Sequence, residues 1–467
     1  MIQKDLKQSV LNSRETLFQG IAASAPAGAA VATMTGAAAY ALGGLPMAAL
    51  IAFFVVLLNA YIIKRISARV AGSGGYYDYT KIAYGPVVGA FTGWMYLLYQ
   101  IFAMTFVAMS ISVFVPALLS DVFLVSLPSY SWVPLLAGTL IIAYSLSVVG
   151  IKPSLKYAMI MGTIEIAVVI AIGTVIILSH PAVNTISVFT PKFAYGGLSG
   201  VMLGVIFMYT AFSGFGNMTP LGEETKDAKN TIGRMVIYSA IILGLFFVFT
   251  AYAFTVGWGP SNMLSYSTNL VPGIILAKND LGIVGALILT VFYINSIIWC
   301  LTVFFNSSSR ITLSLARNRV LPSFLAAIHP TRRTPHVSAA IMGVIAFIIA
   351  SIGTVVLGGG GFNMFLVAGV VSTLPALLVH AIANSSLPVL NKRATDRYGI
   401  LNIILPLAAI VVLAFVFYGT FISINREVII ASVVFIVWVF FGVIASVLRR
   451  SSYVIDEHFI EAASGEK

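Results

Sequence analysis

The sequence predicts an all-α integral membrane protein of about twelve transmembrane helices. Three observations lead there. Of 467 residues, 59% are hydrophobic and 9% charged, where a soluble domain carries about 25% charged residues. Apolar runs recur at the length of roughly 20 residues that a bilayer core about 30 Å thick requires. Lysines and arginines lie between those runs and are concentrated in every second loop, on one side. Twelve such spans use about 240 residues, so short loops and tails remain and no separate soluble domain is expected. Collagen, disorder, a disulfide scaffold and a cytosolic enzyme are excluded.

The spans read as 19–42, 45–63, 86–116, 132–149, 155–178, 198–218, 234–257, 281–308, 336–357, 362–386, 400–423 and 427–448. On that reading 23 of the 26 lysines and arginines share one side, and only Lys192, Lys278 and Arg426 fall on the other. The positive-inside rule then puts both termini in the cytoplasm: a tail at 1–18, one transmembrane domain at 19–449, and a second tail at 450–467. The net charge of +11 therefore describes sidedness rather than a nucleic-acid face. The lone cysteine, Cys300, forbids an internal disulfide. The first eighteen residues carry both charge signs before a span too long for a signal-peptide core, so no cleavage is expected.

The chain also shows a faint inverted symmetry. Span one is interrupted by Ser24-Ala25-Pro26-Ala27-Gly28, and span six by Ala211-Phe212-Ser213-Gly214-Phe215-Gly216. The two breaks lie five spans apart in the series, so they run in opposite directions. A long polar segment follows span two (71–84), and another follows span seven (259–281). The two repeats would cover about 19–178 and 198–386, with helices eleven and twelve at about 400–449 outside them. Interrupted helices in matching places point to an inverted-repeat transporter. A broken helix frees backbone N–H and C=O groups, tolerated in a membrane only where they meet a cavity or a ligand. Half-helix N-termini suit a carboxylate and C-termini a cation. Two antiparallel breaks can thus hold a zwitterion without charged side chains, and neither break contains any.

Three stretches resemble the amino acid–polyamine–organocation superfamily of transporters. They are Ser73-Gly74-Gly75-Tyr76-Tyr77-Asp78-Tyr79 with Gly85-Pro86 and Gly93-Trp94; Ala211-Phe212-Ser213-Gly214-Phe215 with Glu223-Glu224 and Thr231-Ile232-Gly233-Arg234; and Ser309-Arg310 with Ala316-Arg317-Asn318-Arg319-Val320-Leu321-Pro322 and Thr334-Pro335. The resemblance runs from about residue 15 to 400. It implies the LeuT-type five-plus-five inverted repeat with discontinuous helices 1 and 6, plus two extra C-terminal helices. The chain departs from the family at its first break, where many members carry Gly-Ser-Gly or Gly-x-Gly. The Asp-Pro-Gly-Asn and Met-Pro-His motifs of metal-carrying relatives do not occur, so no metal is expected.

Glu165 is the only acidic residue deep inside a span, about 15 Å from its inner end. An ionised group there costs ~2.5–3.5 kcal/mol on the insertion scale, so the carboxyl is suited to hold a proton in a dry cavity and release it on wetting. By resemblance, Glu165 stands where several proton-coupled relatives carry lysine. It would face the span-one break and span eight, where sodium-coupled relatives hold Na⁺. Ser296 and Cys300 are the candidates on the span-eight side. The alternatives are a strut bonded to a freed amide of span one, or a sodium ligand.

Among other polar residues, His380 reads as a satisfied structural imidazole, with a proton relay as the alternative. Asn295 and Asn306 read as helix cross-links, and Glu223, Glu224 and Arg310 as solvated or headgroup-facing charges at span ends, with a gating salt bridge as the alternative. Tyr96, Tyr99, Gln100 and Phe212 could line a pocket, with the resemblance making Phe212 a lid. No HExxH, Gly-x-Ser-x-Gly or P-loop motif occurs, so no enzyme and no cofactor are expected. The expected function is secondary active, proton-coupled uptake of a neutral amino acid across the plasma membrane by alternating access. The substrate would meet the backbone of Ser24, Ala25, Pro26, Ala27 and Gly28 and of Ala211, Phe212, Ser213, Gly214 and Gly216. The competing readings are an uncoupled exchanger or facilitator, one coupled to Na⁺, a channel, or an amino acid sensor.

Overall fold

A computed structural model describes residues 5–395, 399–422 and 426–448; the expected tail at 450–467 lies outside them. Helix α1 (Ser13–Ala23) starts six residues before the expected span. The cause is a capping box hidden in the charged tail: the Asn12 side chain accepts the Glu15 N–H, and the Glu15 carboxylate accepts the Asn12 N–H. The helix stops at Ser24, where Ala25 takes a left-handed φ of 43°, strained for a residue with a Cβ. Pro26 then opens α2 (Pro26–Gly28), which passes through a π turn at Ala29–Thr33 into α3 (Met34–Ala41).

Eleven stretches among the described residues are long and apolar enough to cross a bilayer. The first, Ser13–Ser67, would be about 80 Å long as one rod. It instead reverses through a 3₁₀ turn at Leu42–Gly44 before α4 (Leu45–Ser67). The described residues therefore make twelve crossings, with span one interrupted by the break at Ser24–Ala25.

The polar segment after span two is not an open loop. Glycines with positive φ, Gly75 (57°) and Gly85 (89°), flank the short helix α5 (Tyr76–Tyr84). There follow α6 (Pro86–Phe123), α7 (Trp132–Val149), α8 (Ile151–Ser179) and α9 (Leu198–Phe212). Span six then continues only as 3₁₀ turns, Ser213–Gly216 and Thr219–Leu221, before α10 (Ala228–Trp258). The second polar segment holds α11 (Met263–Ser267) and the first turns of α12 (Pro272–Arg317), which kinks at Gly282. The last helices are α13 (His336–Leu357), α14 (Phe362–Thr395), α15 (Leu401–Gly419) and α16 (Arg426–Leu448).

Packing orders these rods. The apolar window of α6 is 83% buried, against 22% for α13 and α16, so α6 runs through the centre while α13 and α16 lie at the rim. Beyond Arg426 at its start, the exposed side chains of α16, among them Val433, Val437, Phe440 and Ile444, are apolar. A soluble protein would put charge there; this outer face is built for lipid. Helix α4 packs along α10, and α6 along both α12 and α14. The two breaks meet inside this frame.

Candidate functional site at the paired helix breaks

The breaks touch. A Cβ on Gly214 would sit 2.2 Å from the Ala23 carbonyl carbon and 2.6 Å from the Ser24 nitrogen, so the span-six turn rests its backbone on the end of α1. A methyl group cannot be housed there without moving one chain.

The peptide groups that the first break frees have identifiable partners. Pro26 has no N–H to satisfy. The Ala27 N–H donates to Glu165 Oε1 at 2.8 Å, and the Gly28 N–H to Ser296 Oγ at 3.2 Å. The Ser296 hydroxyl in turn donates to the same Glu165 oxygen at 2.6 Å, and Asn295 Nδ2 reaches Oε2 at 3.4 Å. Cys300 Sγ donates to the Ala23 carbonyl at 3.2 Å. Glu165, Ser296 and Cys300 thus lie together on α8 and α12 and clasp span one across its break. The Ala27 and Gly28 amides already have side-chain acceptors, whereas the buried Ser24 hydroxyl has no partner among the described residues. A small hollow lined by Ile21, Pro26, Ala158 and Trp299 adjoins Glu165.

On the second break, Ala211 and Phe212 are buried, and the Phe212 ring stands edge-on to Phe247 with centroids 4.9 Å apart. Ser213 contributes its backbone to the 3₁₀ turn. A Cβ on Gly216 would meet the Tyr76 hydroxyl at 2.0 Å. His380 is buried, with Nδ1 2.8 Å from the Tyr209 hydroxyl. Asn306 ties α12 to α7 and α8 through Ser147 (2.8 Å) and Ser154 (3.5 Å). Asn295 links α12 to α8, through Glu165 at 3.4 Å and the Tyr157 hydroxyl at 3.3 Å, and so also belongs to the Glu165 cluster.

Between the breaks and the basic side lies a polar layer that includes Gln19 and Asn217, two residues without a sequence signal of their own. Gln19 Nε2 donates to the Asn217 and Val303 carbonyls and to Ser307 Oγ, each at 3.3 Å. Gln100 Nε2 donates to Asn217 Oδ1 at 2.9 Å. Isolated amides in apolar spans carry no periodic signal; only the pairing of distant residues reveals them.

Below that layer the structure corrects one expectation. Glu224 and Arg310 are not solvated: both side chains are 1% exposed. Arg310 Nε and Nη2 donate to the two Glu224 oxygens, the second at 3.0 Å, and Nη1 donates to the Asn306 carbonyl at 2.8 Å. Such a fork satisfies a carboxylate in a way one lysine could not. Glu223 accepts from Arg317 at 3.0 Å and from Ser73 at 2.6 Å. The N-terminal segment lies across this closure, with Val10 and Leu11 N–H groups donating to the Glu224 carbonyl and Asp5 meeting Arg317.

A membrane-embedded bundle of twelve crossings, with two interrupted helices abutting at its centre, is the architecture of a LeuT-type transporter. The solved structure of MhsT in complex with L-phenylalanine superposes with a TM-score of 0.63 over 89% of this chain and 100% of its own, at 14% identity. The amino acid permease family model matches residues 15–460, and the chain belongs to that family. It is 24% identical over 365 residues to the branched-chain amino acid permease BcaP of Bacillus subtilis, covering 75% of this chain and 76% of that one. It is also 24% identical over 309 residues to the low-affinity putrescine importer PlaP of Escherichia coli, covering 66% and 67% respectively. The protein is a multi-pass membrane transporter and not an enzyme.

Proposed function

We propose that the protein is a secondary active transporter that takes up a neutral amino acid across the plasma membrane by alternating access, its basic side facing the cytoplasm, driven by a proton carried on Glu165. The backbone around Ser24–Gly28 and Ala211–Gly216 holds the substrate's amino and carboxyl groups. The observation that carries this reading is the setting of Glu165. It is buried, and its hydrogen-bond donors are Ala27, Ser296 and Asn295, all uncharged. An enclosed carboxylate without a counter-charge is costly, and wetting one side of the clasp relieves that cost. The same carboxylate engages the amide that a substrate carboxylate would use. Protonating Glu165 and loosening the Ala27 N–H toward substrate therefore become linked events, and linkage between two ligands is reciprocal. One proton per cycle gains ~2.3 kcal/mol per 100 mV, which is about forty-fold accumulation. The amino acid named for the Bacillus subtilis permease supports the substrate class.

The test is uptake of labelled amino acids into proteoliposomes with and without a pH gradient. Glu165→Gln keeps an acceptor for the Ala27 N–H and cannot release a proton, so exchange persists while gradient-driven accumulation is lost. Unchanged accumulation in that variant removes Glu165 from coupling. It would favour the second reading, a fixed strut, which the 2.8 Å bond to Ala27 also suits.

A further inference from the structure

The polar layer beneath the breaks is incompletely bonded. Gln19 Oε1, Gln100 Oε1, Asn217 Nδ2, Thr219 Oγ1 and the hydroxyls of Tyr76 and Tyr96 are buried and make no hydrogen bond of good geometry among the described residues. Buried polar atoms are paired in the great majority of cases, because an orphan keeps its desolvation cost and gains nothing for it. Six under-bonded atoms in one patch need an explanation.

They are contiguous. Gln19 and Gln100 both bond Asn217. The Tyr96 hydroxyl is close enough to Thr219 and Gln100 for weak, poorly directed hydrogen bonds only, and the Tyr76 and Tyr96 rings are 5.3 Å apart. Exchanging O and N on the Gln100–Asn217 pair leaves the same inventory, one free acceptor and one free donor. The patch also begins where a bound solute would end. Gln19 is five residues before Ser24, about 7.5 Å along the helix, and Asn217 is three residues past Gly214, which rests on Ser24. A solute held by its backbone groups at the breaks would reach the patch with its side chain.

The chemistry of the patch is selective. It offers donors and acceptors but no charge, since none of its six residues is Asp, Glu, Lys or Arg; the nearby His380 is already bonded to Tyr209. A charged side chain would be buried without a counter-ion. An apolar one would leave the six atoms under-bonded. A hydroxyl or carboxamide meets both conditions. We propose that this layer is the side-chain subsite of the carrier and selects a solute with an uncharged, hydrogen-bonding side chain over one with an apolar side chain. The proposal rests on the transport reading above and narrows its substrate class. Sites built to hydrogen-bond a substrate discriminate strongly against analogues that lack the group.

The test measures kcat/KM for labelled L-glutamine, L-serine, L-leucine and L-phenylalanine with the full-length protein in proteoliposomes. Glutamine or serine should exceed both apolar amino acids by about tenfold or more. Gln100→Met, which keeps volume and removes the amide, should lower that ratio at least about fivefold while leucine uptake stays measurable. Tyr96→Phe, which deletes only a hydroxyl, should move it in the same direction and decides the matter if Gln100→Met does not fold. An apolar preference in the unaltered protein, or a ratio unmoved by the variants, would mean that the layer holds only water and overturns the proposal. Uptake of none of the four by stably folded protein would strike the transport reading itself.

Discussion

Gly214 rests against the Ala23–Ser24 peptide so closely that a single methyl group would lie 2.2 Å from the Ala23 carbonyl carbon. Backbone cannot rotate aside as a flexible side chain can, so Gly214→Ala must push spans one and six apart at the place where both are interrupted. Uptake should fall at least about tenfold while helical content stays unchanged, since the loss lies in positioning by a fraction of an ångström. Full uptake by Gly214→Ala would show that the two breaks need not touch.

Gly216 offers the contrasting case. Its nearest obstacle is the Tyr76 hydroxyl, the far end of a side chain. Gly216→Ala should therefore impair uptake less than Gly214→Ala, and Tyr76→Phe should restore part of what it loses. A double variant no better than Gly216→Ala alone, measured by initial uptake rates, would show that the hydroxyl is not the obstacle.

The crossings and both breaks were legible because lipid imposes them. A span must be long, apolar and uncharged, and a Pro or a run of small residues inside one stands out against that background. Glu165 was legible for the same reason. The start of α1 was missed because Asn12 and Glu15 lie among charged residues, where a capping box looks like ordinary tail. The burial of Glu224 was missed because its partner, Arg310, is 86 residues away, and a charge at a span end reads the same whether it meets water or a guanidinium. The polar layer was half seen: Tyr96 and Gln100 stood out, while Gln19 and Asn217 gained meaning only once α1 and the span-six turns were brought together.

Asp78, outside the spans, gives a pH signature. Burial holds its carboxyl above the ordinary 3.8, with Lys81 and the Gly74 N–H pulling the other way. A carboxyl raised in the folded state binds its proton more tightly folded than unfolded. Its contribution to stability is therefore greatest below the ordinary value and falls as pH rises through the folded one. Asp78→Asn keeps an acceptor for the Gly74 N–H, which Asp78 Oδ2 now meets at 2.8 Å, and does not titrate. The difference in unfolding midpoint between the native protein and Asp78→Asn should shift against the native protein as pH rises from 3.8. A difference that is flat or of opposite sign, followed by thermal unfolding in detergent, would remove the buried carboxyl as its source.

Two of the ion pairs in the basic-side closure look alike on paper and differ in environment. Asp5–Arg317 spans 3.2 Å with the Asp5 side chain 69% exposed, so water and salt screen it, and such pairs contribute about 0–1 kcal/mol. Asp5→Asn should leave thermal stability nearly unchanged. Glu224–Arg310 is enclosed at 1% exposure on both sides. Removing one partner there strands the other charge, a loss of about 3–5 kcal/mol in buried pairs. Arg310→Met should thus lower the unfolding midpoint sharply, and the paired change with Glu224→Leu should recover much of it, because two apolar side chains leave no orphaned charge. If the pair also closes the basic side during the cycle, the stable double variant should bind substrate yet label more readily with a membrane-impermeant thiol reagent at a cysteine placed at Ser307. Equal labelling in the two backgrounds, with stability recovered, would confine Glu224 and Arg310 to holding the fold.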